Sequence, residues 1–178
     1  MDEIVVSVFG TGRAKQGEPA YVLGEEVGRA LARAGFAIAN GGYRGTMHAA
    51  AQGAARAGAT VIGVTCSAFK NSVANEYVTR EIVTCSLEER LRTLVELGQG
   101  YVALPGGTGT LLELAMVWEL KNKGFLDRGK PIVLAGEFWR PLVDLVAQDD
   151  PACTRHVAVA ESPEQVADLL GKALHHES

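Results

Sequence analysis

The stretch Pro105-Gly106-Gly107-Thr108-Gly109-Thr110-Leu111-Leu112-Glu113 lies where the apolar run Tyr101-Val102-Ala103-Leu104 gives way to helical spacing from Leu111 to Leu120. The order is strand, glycine-rich turn, helix start. Gly106, Gly107 and Gly109 let the backbone take positive φ and let a ligand approach the main chain without meeting a Cβ. The turn empties into N–H groups with no acceptor inside the helix, at the end that carries partial positive charge. Such a junction is an anion site, and a phosphate suits it.

Glu113 has two readings. Thr110-x-x-Glu113 spells a capping box, in which the threonine hydroxyl accepts from the Glu113 N–H and the carboxylate reaches back to the Thr110 N–H. At about 100° per residue, however, Glu113 falls in an arc with Met116, Val117 and Leu120. A carboxylate in an apolar arc is either satisfied by specific partners or used for chemistry.

Working outward, two further junctions have the same form. Ile4 to Phe9 is a β-branched run that ends in Gly10-Thr11-Gly12, and Phe36 to Ala39 runs into Asn40-Gly41-Gly42-Tyr43-Arg44-Gly45-Thr46-Met47. In an open parallel sheet such turns share the carboxyl edge, where ligands bind. The first junction resembles the opening of a Rossmann unit. The third glycine of a dinucleotide fingerprint would fall at Lys15, so neither NAD nor FAD is expected. Arg13 and Lys15 follow this turn as loop cations, either solvated or meeting an anion.

Helices are expected from Tyr21 to Ala34, after Thr46 as far as Gly58, from Ser86 to Leu97, from Trp139 to Val146 and from Pro163, with strands at 60–65, 81–84, 131–135 and 157–160. Residues 66–77 have no clean period and form a loop long enough to cover a site. The helix opened by Ser86 carries an oddity. Leu87, Leu91, Leu94, Val95 and Leu97 mark its apolar face, and Arg90 projects between Leu97 and Leu94 on that side. An arginine there must snorkel, pair with a buried acid or line a cavity. One turn from a strand's carboxyl end, it can face the same cleft as Glu113.

The fold expected is a single domain over 1–178, an α/β three-layer sheet of about seven parallel strands whose order reverses near the first. Composition agrees: 47% of the 178 residues are hydrophobic and 21% charged. A net charge of −4 without a Lys/Arg run argues against a nucleic-acid surface, while a single small anion needs only local charge. Cys66, Cys85 and Cys153 form no C-x-x-C pair, which points to neither a disulfide framework nor a thiolate metal site, and to a reducing, cytoplasmic setting. Residues 1–3 lead into an apolar run too short for a signal peptide, and no run is long enough to span a membrane. His48, in a first helical turn, reads as a capping or surface residue, since two further ligand-type neighbours are missing. Trp118 and Trp139 read as core or subunit-contact residues.

Taken together, the chain resembles the LOG family of Rossmann-type proteins over nearly its whole length. The family marker P-G-G-x-G-T-x-x-E is matched by Pro105, Gly106, Gly107, Gly109, Thr110 and Glu113, and an S-M-x-E-R-like segment by Ser86-Leu87-Glu88-Glu89-Arg90. The resemblance implies a phosphoribohydrolase that cleaves the N-glycosidic bond of a purine nucleoside 5′-monophosphate, with Arg90 and Glu113 catalytic, no cofactor, no metal and a homodimeric or larger assembly. The phosphorylated ligand would be bound by Gly10, Thr11, Gly12, Gly42, Arg44, Gly45, Thr46, Met47 and residues Gly106, Gly107, Thr108, Gly109 and Thr110. Two departures stand out. Leu91 follows Arg90 where the hydrolases carry an R-K pair, and Gly41-Gly42-Tyr43-Arg44-Gly45-Thr46-Met47-His48-Ala49 replaces their G-G-G-x-x-G-L-M-G. The second form is more like relatives described as molybdenum-cofactor carriers, which bind an anionic pterin and need not catalyse. The family's older decarboxylase label would require a Schiff-base lysine, and no lysine lies in the glycine turns.

Overall fold

A computed structural model describes residues 3–70, 73–127 and 129–174. Met1 and Asp2 at the start, Asn71 and Ser72 of the expected covering loop, and Arg128 of the loop after residue 120 lie outside them. The strands are β1 (Val5–Phe9), β2 (Ala37–Asn40), β3 (Val61–Cys66), β4 (Arg80–Thr84), β5 (Gly100–Ala103), β6 (Ile132–Ala135) and β7 (Val157–Ala160). The helices are α1 (Pro19–Arg33), α2 (Thr46–Arg56), α3 (Leu87–Leu97), α4 (Thr108–Asn122), α5 (Arg140–Val146) and α6 (Pro163–Leu174), and a 3-10 turn at Pro151–His156 precedes β7.

All the strands are parallel, in the order β4-β3-β2-β1-β5-β6-β7. Their continuous apolar runs are what a sheet covered on both faces requires. Val6, Val8, Val102 and Val133 face a core shared with α1, α2 and α6. Phe9, Tyr101, Ala103 and Leu134 face a second core shared with α3, α4 and α5. The inner strands β2, β3, β5 and β6 are buried throughout, while edge strand β4 leaves Val83 exposed. The expected seven-stranded parallel sheet is therefore present, and its order reverses between β1 and β5 as expected. This reversal opens a crevice between the loops that leave those two strands.

Local signals set the ends of the elements. Ser86 Oγ accepts from the Glu89 N–H at 3.1 Å and Ser162 Oγ from the Gln165 N–H at 3.2 Å. In both caps the returning side chain reaches one residue beyond the usual capping-box partner: Glu89 accepts from the Cys85 N–H and Gln165 from the Glu161 N–H. Of the two readings of Glu113, the capping box with Thr110 does not form. Helix α4 starts at Thr108 with Gly107 as its N-cap, so Thr110 already lies inside the first turn and its hydroxyl has no partner among the described residues.

Both tryptophans are buried and each spends its indole N–H inside the protein. Trp118 donates to the Cys153 carbonyl at 2.9 Å and Trp139 to the Leu104 carbonyl at 3.0 Å, directly before Pro105. Trp139 thus ties the base of α5 to the root of the central glycine turn. Trp139→Phe keeps an aromatic ring but removes the indole N–H and strands a buried carbonyl, and should lower unfolding stability by about 1–3 kcal/mol in urea denaturation followed by circular dichroism. An unchanged midpoint would show that this carbonyl finds water instead.

Candidate functional site

The loops after β1 and β5 and the starts of α3 and α4 enclose a cleft of about 570 Å³. Its floor is made by Gly10, Thr11, Gly12 and Arg13 from the first turn and by Gly107, Thr108, Gly109 and Thr110 from the central one. Arg90, Glu113, Met47 and Tyr43 complete the walls, with Leu87 and Phe69 beside them.

Why the backbone offers an anion site follows from how α4 begins. The first amide of this helix to reach a helix carbonyl is that of Leu111, which donates to Gly107 O at 2.9 Å. The amides of Thr108, Gly109 and Thr110 are left at the positive end of a helix that runs to Asn122. Beneath them lies the Thr110 hydroxyl, 2% of the residue being exposed, unpartnered among the described residues. A buried hydroxyl without a partner is costly unless something meets it.

The second turn contributes indirectly. Gly45 has φ +67°, and a Cβ there would lie 2.1 Å from the Thr11 carbonyl oxygen, so only glycine lets the two turns touch. The Thr46 N–H (2.8 Å) and hydroxyl (3.2 Å) both donate to that same carbonyl. Gly45 and Thr46 therefore hold the first turn in place, and neither is among the residues lining the cleft. Gly42 is likewise committed, its N–H donating to Asn40 Oδ1 and its carbonyl accepting from Asn75. Gly106 is the roof over the Thr110 hydroxyl, and Arg44 lines an adjoining groove. Of the two loop cations, Arg13 lines the cleft; Lys15 is exposed, with its N–H donating to Glu18.

Arg90 and Glu113 are brought together. The guanidinium Nη1 donates to Glu113 Oε1 at 3.4 Å, with side chains only 9% and 11% exposed. Nε donates to the Val64 carbonyl within β3 at 2.8 Å, and the guanidinium carbon lies 5.6 Å from the Tyr43 ring centroid and 5.9 Å from that of Phe69. Gly41 makes this possible, because a Cβ there would stand 1.8 Å from Arg90 Nη2. Of the alternatives open to an arginine at this position, pairing with a buried acid and lining a cavity both hold. Burial pushes the Glu113 carboxyl up to about 7, although Arg90 pulls it down both by charge and by its hydrogen bond. Desolvation outweighs the cation.

Gly41, Tyr43, Phe69 and Leu87 are site residues that sequence reasoning missed. The tyrosine had a usable signal, a large ring inside an otherwise small-residue turn, whereas Phe69 sits in a loop without period. His48 bridges rather than caps: Nδ1 lies 2.6 Å from the Tyr21 hydroxyl and Nε2 3.2 Å from Glu76 Oε1. Among the described residues no group of three His, Cys, Asp or Glu is placed to hold a metal, and no helix is long and apolar enough to cross a membrane. A depression of about 610 Å³ lined by Lys121, Lys123 and Arg155 opens at the carboxyl end of α4, where the helix dipole opposes an anion.

Residues 3–167 match the family described as SLOG cluster4. The chain belongs to this SLOG (LOG) family. A cytokinin riboside 5′-monophosphate phosphoribohydrolase of Rhodococcoides fascians is 34% identical over 146 residues, covering 79% of this chain and 73% of that protein. Two solved structures superpose over almost the full length. The molybdenum cofactor binding protein of Rippkaea orientalis has a TM-score of 0.78 and 28% identity, covering 97% of this chain and 98% of that one. The molybdenum cofactor carrier protein of Chlamydomonas reinhardtii has a TM-score of 0.78 and 28% identity, covering 98% and 99%. The chain is thus similar in sequence to a protein named for hydrolysis and in fold to proteins named for binding or carrying a cofactor.

The raised Glu113 carboxyl has a consequence for stability. A folded-state value near 7 against an ordinary 4.5 means that folding favours the protonated acid. Its contribution is full below about 4.5 and is lost as pH rises through about 7. Wild type should therefore lose stability relative to Glu113→Gln, which cannot ionise, as pH is raised across that interval in parallel denaturant titrations. A gap between the two proteins that stays constant with pH would show an ordinary carboxylate.

Proposed function

We propose that this SLOG-family chain is a phosphoribohydrolase that cleaves the N-glycosidic bond of a purine nucleoside 5′-monophosphate to free base and ribose 5-phosphate. The observation that carries the reading is the buried Glu113–Arg90 pair set beside the amino end of α4, in one cleft with the glycine turns. In this reading the phosphate sits on the Thr108, Gly109 and Thr110 amides, and anchoring it there places the ribose C1′ against Glu113. As the C1′–N bond breaks, its electron pair leaves with the base and positive charge builds on the sugar. The Glu113 carboxylate stabilises that charge and takes a proton from the attacking water. In net, the water's hydroxyl ends on C1′ and its proton on the base nitrogen. Arg90 keeps Glu113 in place and offers its remaining N–H groups to the ligand. The name and 34% identity of the Rhodococcoides fascians relative support this reading. The protein would work in the cytoplasm as a homodimer; the exposed Leu112 on α4 favours a covered helix face.

A second reading has its own support in the two structural neighbours of 28% identity. Here the same cradle holds the anionic group of a pterin cofactor as cargo, and Glu113 only positions Arg90.

Incubation with a panel of nucleoside monophosphates, with free base and ribose 5-phosphate followed by chromatography, separates the two. Hydrolysis should rise with pH and level off above about 7, as Glu113 ionises. Glu113→Gln should lower kcat by about 10²- to 10⁴-fold. No base release from any monophosphate, together with tight binding of molybdenum cofactor, would replace the first reading by the second.

A further inference from the structure

We infer that the groove beside the cleft seats the flat base of the ligand, and that its rim selects a 6-oxo heterocycle over a 6-amino one. This rests on the anion cradle proposed above. The groove measures about 520 Å³ and shares Gly12, Tyr43, Met47 and Phe69 with the cleft, so the two form one continuous crevice. A ligand anchored by phosphate at α4 can extend along it. Phe69 and Val73 are 37% and 79% exposed at its mouth, an apolar surface with no covering partner among the described residues.

The ring platform is built before any ligand arrives. The Tyr43 and Phe69 rings lie 6.2 Å apart at 47°, and the Tyr43 hydroxyl accepts from the Cys66 N–H at 2.7 Å. Asn75 Nδ2 donates to the Gly42 and Tyr43 carbonyls at 3.0 and 2.9 Å, which fixes the turn that carries the tyrosine. An aromatic platform accepts any base, because every base has a π face. Choice among bases comes from the edge. Apart from the engaged Tyr43 hydroxyl, the polar side chains among the described residues of the groove are Arg44 and Lys70, both of which only donate. Guanine and hypoxanthine present the N7 and O6 acceptors that an arginine reads, whereas adenine presents an amino donor at the same edge. No carboxylate or carboxamide among the described lining residues receives that donor.

Calorimetry with Glu113→Gln, in which turnover is slowed, tests this with GMP, AMP and ribose 5-phosphate as probes. GMP should bind about ten-fold more tightly than AMP, and both more tightly than ribose 5-phosphate. Adding Arg44→Ala should erase the preference for GMP. Adding Phe69→Ala should weaken both nucleotides by a larger factor than it weakens ribose 5-phosphate, and so bring the three affinities together. AMP binding as tightly as GMP, or no effect of Phe69→Ala while ribose 5-phosphate still binds, overturns the base groove and leaves the cradle standing. Failure of all three ligands to bind overturns the cradle and the groove with it.

Discussion

A carboxylate and a guanidinium, both withdrawn from water, have to be held within contact at the edge of this sheet, and much of the local structure is explained by that demand. Removing two charges from water costs several kcal/mol each, and their mutual attraction repays this only with good geometry and further hydrogen bonds. The pair here has a single long contact of 3.4 Å, and the acid is driven toward its neutral form. As a device for stability it is poor; apolar residues of similar volume would serve better. What surrounds it is nonetheless specific. Gly41 is bare so that Nη2 can lie against the chain, the Val64 carbonyl receives Nε, and two aromatic rings lie beside the guanidinium carbon. A poorly repaid but carefully supported pair belongs to chemistry or binding.

The topology explains how residues 23 positions apart reach one place. Parallel strands end on a common edge, and the order reversal between β1 and β5 parts the loops there into a crevice. Arg90 enters from α3, which follows β4, and Glu113 from α4, which follows β5. Thr46 fastens the first turn by spending both of its donors on Thr11 O, leaving the amides of α4 free for a ligand. Such a frame is neutral between catalysis and carriage. An anion cradle beside a buried acid can hydrolyse a nucleotide or hold a cofactor, which is consistent with relatives named for both on the same fold.

Much of this was legible in the letters. Short β-branched runs ending in glycine turns give parallel strands with little ambiguity, and every expected strand appears within one residue of its position. Glu113 and Arg90 were visible because a charge inside an apolar arc breaks helical periodicity. Reading stopped where function depends on tertiary neighbours. The start of α4 was placed too late because Gly107 caps without a side chain, so Thr110 resembled a cap when it is an orphan within the first turn. Thr46 looked like a phosphate ligand because its commitment to Thr11, 35 residues away, leaves no local trace. The second groove was invisible for the same reason: Phe69 meets Tyr43 only through the fold.

The most direct examination of the central claim is a crystal structure of Glu113→Gln with a purine nucleoside 5′-monophosphate bound. The account requires phosphate oxygens within hydrogen-bonding distance of the Thr108, Gly109 and Thr110 amides, with C1′ facing the carboxamide that replaces Glu113. A nucleotide bound the other way round, with its phosphate on Arg44 and Lys70 and its sugar turned from residue 113, would contradict it.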